Sequence, residues 1–244
     1  MPLFFFAMPG FYILAVYILA AVLPAWFLLR YIYRHDTVEK EPAGLLASLL
    51  LMGVAAALCS GVLEGLGEAV LYRLVDPGSP LYTVLLAFFV VALVEEGTKF
   101  LFLHARTWRN PNFNYRFDGI VYAVFVSLGF AAFENIQYVL HYGLSVALPR
   151  AIFAVPGHMS FAVFMGLFYG RAKLYEAWGD RRRCRGSLIR AYGTSVLLHG
   201  FYDACAMRGT GMAMVVFLVF VVLMFRSAFK HVKQESFTDR KSVV

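Results

Sequence analysis

Ionisable side chains interrupt four otherwise apolar stretches of this sequence. The stretch FVVALVEEGTKFLFLH carries Glu95, Glu96 and Lys99. The other three stretches contribute Glu134 with Asn135, His158 alone, and His199 with Asp203. Carboxylates and imidazoles are the side chains that bind Zn²⁺ and transfer protons. At bilayer depth a charged group costs on the order of a few kcal/mol unless it meets a partner or a water-filled cavity. We therefore expect the four stretches to converge on one functional site.

Helical spacing groups these residues into pairs. Glu95 and Lys99 are four residues apart and share a helix face, as do His199 and Asp203, whereas Glu96 points about 100° away from Glu95. Either pair alone has a structural explanation, as an ion pair that lets a helix insert or as a hydrogen bond that satisfies a buried imidazole. The occurrence of such groups on four stretches favours a working site. Two further carboxylates, Glu64 and Glu68, are predicted to lie at a solvated helix end.

The chemistry that suits this set is water activation. Neutral imidazoles and a carboxylate can hold Zn²⁺ with one position left for water, while another glutamate acts as general base. The same groups also suit a proton relay in a membrane transporter or sensor, and spacing does not choose between these two functions. No H-E-x-x-H, G-x-S-x-G or G-x-G-D motif occurs in the chain, so the common zincin, serine and aspartyl routes have no support.

Composition places these helices in a membrane. The chain is 61% hydrophobic and only 15% charged, against about 45–50% and about 25% in soluble domains. We predict an all-α polytopic membrane protein of a single domain, residues 1–244, whose first apolar segment is a retained span and not a cleaved signal. Three scattered cysteines indicate neither a disulfide framework nor a C-x-x-C metal site.

Seven stretches are long and apolar enough to be predicted as transmembrane helices. They lie at about 9–31, 44–70, 81–104, 118–141, 148–172, 187–206 and 210–229. Lys and Arg alternate between rich and poor connections, which predicts an N-terminus outside and a C-terminus in the cytoplasm. Because this distribution accounts for the net charge of +7, no nucleic-acid partner is predicted. The run RRRCR at 181–185 is interpreted as a topology anchor, with contact to anionic lipid as the alternative.

Four motifs in order resemble those of the PrsW family of membrane-embedded proteases. VEEGTKF resembles the family's E-E-x-x-K signature, and FAAFENI its F-x-x-x-E-N segment. PGHMSFAVFMGLFYG resembles its histidine span, and HGFYD its H-x-x-x-D motif. The resemblance covers 94–203, and the family is similar to the wider group of CAAX-processing and bacteriocin-processing membrane proteases. In that group a histidine stands where this chain has Glu134, so a metallo-type and a glutamate-type mechanism are both left open.

The resemblance implies an intramembrane endopeptidase of the bacterial cytoplasmic membrane. Its implied substrate is a single-pass membrane protein such as an anti-sigma factor, and Zn²⁺ is its possible cofactor. The motif core would span 81–206, followed by a cytoplasmic tail at 230–244. On this basis we assign Glu95 or Glu96 as general base, with the other glutamate positioning substrate or held by Lys99. Candidate metal ligands or water-polarising groups are Glu134, His158 and His199. Asp203 would orient His199, and Asn135 would help to stabilise the oxyanion.

Overall fold

The computed structural model describes the backbone of residues 3–242 and the side chains of residues 12–240. This part of the chain is helical apart from short connections, which confirms the predicted all-α class. Its helices are α1 (Leu3–His35), α2 (Ala43–Leu74), α3 (80–107), α4 (Arg116–Tyr142), α5 (Leu144–Ala177), α6 (Arg181–Arg208) and α7 (Gly211–Ser242). Each predicted span falls on one of these helices, which generally extend further at one or both ends.

Five of the helices are long and apolar enough to cross a membrane, namely α1, α2, α4, α5 and α7. The chain is therefore a polytopic helical membrane protein. The remaining two helices carry more charge. In α3 the charge comes from the cluster around Glu95, and in α6 from the arginines that follow Asp180.

Local sequence signals set several helix boundaries. Ser79 accepts a hydrogen bond from the backbone N–H of Tyr82 at 3.2 Å, and Pro80 then begins α3. Asp118 accepts from the backbone N–H of Tyr115 at 2.7 Å in the first turn of α4. Gly209 ends α6 with φ of +58°, a left-handed conformation that glycine adopts without steric cost.

Helix α4 is the centre of the bundle, since 78% of its most apolar segment is buried. It packs closely on α5 through small residues, where a Cβ atom on Gly119 would lie 2.6 Å from the backbone nitrogen of Gly170. Glycines let helix backbones approach in this way in membranes. Deeper in the bundle, Ser127 of α4 donates to the carbonyl of His158 at 2.9 Å. The two helices are thus held in one register beside His158.

Two helices contain π-helical turns just before the polar residues. In α3 the turn covers Leu86–Ala92 and precedes the paired glutamates, while in α5 it covers Arg150–Ala154 and precedes His158. Such turns rotate the following residues relative to a regular helix and are frequent at functional sites. In the first turn Phe88 lies against Gly200, so a Cβ there would clash with its ring. This contact brings α6 and His199 close to α3.

The predicted cytoplasmic tail is helical as far as Ser242, as the last part of α7. Glu235 forms an ion pair with Arg116 of α4 at 2.7 Å, and Asp239 accepts from the backbone N–H of Phe117 at 2.6 Å. These contacts attach 230–240 to the N-terminal end of α4. Residues 243 and 244 of the predicted tail lie outside the described residues.

The Gly119 contact gives a stability prediction with a matched control. Gly119→Ala should destabilise the protein by about 1–3 kcal/mol, the usual cost of overpacking, because the added methyl group meets backbone atoms of α5. Gly61→Ala places its methyl group in open space and should be neutral or stabilising by up to about 1 kcal/mol. Thermal unfolding of both variants in detergent measures the difference. Equal melting temperatures would show that α4 and α5 do not pack as described.

Candidate active site

The paired glutamates and Lys99 form one buried cluster within α3. Glu95, Glu96 and Lys99 are 5%, 0% and 1% exposed. Lys99 Nζ donates to Glu95 Oε2 at 2.8 Å and to Glu96 Oε1 at 2.9 Å. The three-residue and four-residue spacings place the two carboxylates on either side of the ammonium group. The predicted pairing of Glu95 with Lys99 is present, and Glu96 takes part in it as well.

His158 of α5 lies between this cluster and Glu134 of α4. Its Nδ1 lies 3.3 Å from Lys99 Nζ, and its Nε2 lies 3.0 Å from Glu134 Oε2. The same carboxylate oxygen is 3.0 Å from Arg150 Nη2. An Nε2–H tautomer fits all these neighbours, since it donates to Glu134 and keeps a lone pair on Nδ1.

His199 of α6 lies on the other side of the paired glutamates. Its Nε2 is 3.2 Å from Asp203 Oδ2, one helical turn away as predicted, and its Nδ1 is 3.0 Å from Glu96 Oε1. The ring of Phe161 stacks on the imidazole with centroids 4.7 Å apart. If Nε2–H donates to Asp203, Nδ1 is again the nitrogen that faces the paired glutamates.

Glu95, His158 and His199 could together hold a metal ion. One ligand atom from each lies within 4.8 Å of the other two, and all three side chains are buried. Two imidazoles and one carboxylate are a known zinc donor set. In each ring Nε2 also lies within hydrogen-bond distance of a carboxylate oxygen. Histidines that bind a metal usually make such a hydrogen bond, which fixes the orientation and the tautomer of the ring. The residues present therefore fit a bound Zn²⁺.

The one carboxylate of this set differs from the predicted one. The sequence predicts Glu134 beside His158 and His199 as a candidate ligand or water-polarising group, whereas the described group that could hold a metal ion contains Glu95. Glu134 Oε2 is engaged by His158 Nε2 and by Arg150. Glu134 thus stands to His158 as Asp203 stands to His199, as the carboxylate that orients the ring.

Asn135 does not face the site. Its side chain is fully buried, and its Nδ2 donates to the carbonyl of Ala21 in α1 at 3.1 Å. Its Oδ1 accepts from Arg150 Nε. The predicted oxyanion role has no geometric support, because the amide turns towards α1 and helps to hold Arg150.

A cavity of about 470 Å³ opens onto these residues. Its polar end includes Glu95, His158 and His199, and its other walls are mainly aromatic and aliphatic. Glu96 and Lys99 do not line it. Of the paired glutamates, only Glu95 is therefore in reach of a molecule in the cavity.

Glu64 and Arg150 also line the cavity, and the sequence reasoning missed both. Glu64 was expected at a solvated helix end, but it faces inward and its Oε1 is buried without a hydrogen-bond partner. Only Glu68 of that pair is exposed. The sequence offered one signal for Glu64, because the polar residue Ser60 lies four positions earlier on the same helix face. In the structure the Ser60 hydroxyl is 2.7 Å from that of Thr98 in α3. Arg150 was not predicted as a site residue, because the sequence does not show the π-helical turn that contains it.

Comparison with known proteins decides between the enzyme and the transporter. A family model described as PrsW family intramembrane metalloprotease matches residues 41–226, which include all of the site residues above. The chain belongs to this family. It is accordingly a membrane-embedded protease, and the family predicted from the motifs is confirmed.

Curated relatives agree with this assignment over most of the chain. Protease PrsW of Clostridioides difficile (strain 630) is 30% identical over 212 residues, covering 85% of this chain and 86% of that protein. Protease PrsW of Geobacillus kaustophilus (strain HTA426) is 33% identical over 184 residues, covering 75% and 76%. Protease PrsW of Bacillus subtilis (strain 168) is 30% identical over 184 residues, covering 75% and 79%. No solved structure matches the chain.

The two candidate donor sets predict different effects on Zn²⁺ affinity. Glu134→Gln should weaken binding by roughly 10- to 100-fold, as is typical when an orienting carboxylate is lost. Glu95→Gln should weaken it further, because it replaces a charged ligand. Titration of purified protein against a competing chromophoric chelator measures both affinities. Glu68→Gln is the matched control and should bind as the wild type does.

Two results would contradict this donor set. Retention of Zn²⁺ by Glu95→Gln together with its loss from Glu134→Gln would restore the set predicted from the sequence. A wild-type protein that binds no Zn²⁺ would exclude both sets.

Proposed function

We propose that this protease hydrolyses a peptide bond of a membrane-anchored protein inside the cavity, with Glu95, His158 and His199 in contact with the reacting groups. The observation that carries the proposal is that these three buried side chains come from three helices and line one cavity. Peptide hydrolysis needs such convergence, because the attacking water must lie close to the carbonyl carbon and within hydrogen-bond reach of a proton acceptor.

The donor set supports a metallo-type mechanism. Glu95, His158 and His199 would hold the ion, and a bound Zn²⁺ supplies an activated water and polarises a carbonyl group. Glu134 and Asp203 each accept a hydrogen bond from Nε2–H of one imidazole. This favours the tautomer in which Nδ1 carries no proton, and Nδ1 is the nitrogen that faces inward. Glu96 is fully buried and contacts both Lys99 and His199. We therefore assign it the role of orienting these two side chains.

Two cavity residues supply the remaining functions. Glu64 has a buried carboxylate oxygen without a hydrogen-bond partner, which suits it to accept a proton from water. Arg150 brings a cation to the cavity wall, where it would stabilise negative charge on a carbonyl oxygen, the role first predicted for Asn135. In the metal-free glutamate route, which the sequence left open, Glu95 itself would be the proton acceptor.

The cavity walls support a membrane-embedded substrate. Beyond the polar end they consist largely of apolar side chains, which include Phe153, Tyr202, Met214, Phe217 and Leu218. Such walls suit an apolar segment of a single-pass membrane protein, for which an anti-sigma factor is the example that the family suggests. The relatives come from bacteria, so we place this chain in the bacterial cytoplasmic membrane.

We further propose that all seven helices cross the membrane. Helix α6 has 28 residues and α3 spans 80–107, both longer than the roughly 20 residues that a bilayer requires. Glu95, Glu96 and Lys99 of α3 are paired with one another and buried inside the bundle. The alternation of basic connections then supports an outer N-terminus and a cytoplasmic C-terminus.

The proteolytic role is tested by Glu95→Gln. This variant should lower cleavage by about 10²- to 10⁴-fold, the usual loss for a group that handles protons or water directly. The assay is the N-terminal proteomics of membranes that co-express the protease with a panel of single-pass membrane proteins. Glu68→Gln removes an exposed charge from α2 and should cleave as the wild type does. New N-termini that persist unchanged in Glu95→Gln would contradict the proposed site.

The orientation is tested by reporter insertions at two connections. Alkaline phosphatase inserted after Pro77 should be active, because the α2–α3 connection is predicted outside. Green fluorescent protein inserted after Pro111 should fluoresce, because the α3–α4 connection is predicted to be cytoplasmic. The opposite pair of insertions serves as the control and should give little signal. Signals that follow the opposite pattern would reverse the topology.

A further inference from the structure

A second cavity, of about 600 Å³, lies where α5 ends and α6 begins. It is far from apolar, and its lining includes Tyr175, Asp180, Arg182, Arg183, Ser187 and Arg190. Three guanidinium groups thus border one cavity that contains a single carboxylate. Nothing in the protease site explains this concentration of positive charge.

The single carboxylate is already occupied. Asp180 Oδ1 accepts from the backbone N–H of Arg183 at 2.9 Å, which begins α6, and Asp180 Oδ2 lies 3.4 Å from Arg183 Nε. Arg182 and Arg190 have neither an ion-pair nor a hydrogen-bond partner among the described residues. Two positive charges therefore face the cavity uncompensated.

Two large apolar residues close in sequence to the lining residues are exposed. Trp178, at the end of α5, is 66% exposed, and Ile189, next to Arg190, is 72% exposed. Tryptophan is enriched at the level of lipid headgroups, and large exposed apolar side chains next to a membrane helix contact acyl chains. A ligand that satisfies both features has an anionic head and an apolar tail.

We propose that this cavity, lined by Arg182, Arg183 and Arg190, binds the phosphate group of an anionic phospholipid. Guanidinium groups bind phosphate through paired charge-assisted hydrogen bonds, and basic pockets at membrane helix ends recognise acidic headgroups. The arginine run then has a second role besides setting topology. The site is separate from the catalytic cavity, with which it shares none of its lining residues.

Helix geometry supplies a control of equal charge. Arg182 and Arg190 lie on the face of α6 that borders the cavity, whereas Arg181 and Arg185 point to another side of the same turns and do not line it. The double variants R182Q/R190Q and R181Q/R185Q each remove two positive charges from the first ten residues of α6. The two variants therefore carry the same net charge, so a difference between them reports the position of the arginines and not the number of charges.

The test is native mass spectrometry of the purified full-length protein with phosphatidylglycerol or phosphatidylcholine in detergent. The wild type and R181Q/R185Q should retain phosphatidylglycerol in preference to phosphatidylcholine. R182Q/R190Q should lose this preference by roughly 25-fold, at about fivefold per arginine. Equal losses in the two double variants would reduce the effect to diffuse charge and overturn the proposal.

Two further measurements keep the result decisive. Displacement of phosphatidylglycerol by millimolar inorganic phosphate would show a site for free phosphate, and the lipid assignment would then be wrong. If R182Q/R190Q unfolds, hydrogen exchange of the wild type replaces it, and phosphatidylglycerol but not phosphatidylcholine should protect the amides of 180–190. Absence of that protection would also overturn the proposal.

Discussion

The buried ammonium group of Lys99 is the interaction on which the rest of the site depends. It donates to both paired glutamates and lies 3.8 Å from the centroid of the Phe130 ring. A buried charge without a partner costs several kcal/mol, on the order of 3–5 when one member of a pair is removed. Since all three charged groups belong to one helix, α3 can satisfy them before other helices pack. The histidines of α5 and α6 are then added to a charge cluster that is already formed.

The wider charge balance of the cavity explains why this site suits a cation. Around it lie five carboxylates, from Glu64, Glu95, Glu96, Glu134 and Asp203, and two permanent cations, from Lys99 and Arg150. In a region of low dielectric constant such an excess of negative charge is compensated by protons on carboxyl and imidazole groups or by a bound ion. A protease of this type needs both, because it must move a proton and stabilise developing negative charge.

The parts of the site that lie within one helix could be predicted from the sequence, and the parts that lie between helices could not. Helical spacing identified the pairs Glu95–Lys99 and His199–Asp203, because residues four apart share a face in any helix. The partners of Glu134 depend on how α4 and α5 pack and on the π-helical turn that carries Arg150. Hydropathy likewise gives the depth of a residue in a span but not its direction, so Glu64 was assigned to solvent and Asn135 to the site. Motif order succeeded for the family because it requires no knowledge of these directions.

The position of Lys99 also bears on how the donor set would hold an ion. Lys99 Nζ contacts Glu95 Oε2 and lies 3.3 Å from His158 Nδ1, so it approaches two of the three ligand side chains. Like charges repel strongly at such distances in a low-dielectric site. A bound ion would be favoured if Lys99 moved its contacts towards Glu96, which is fully buried and has a second oxygen without a hydrogen-bond partner. This gives a physical reason for two adjacent glutamates, because one carboxylate can serve the ion while the other keeps the ammonium group paired.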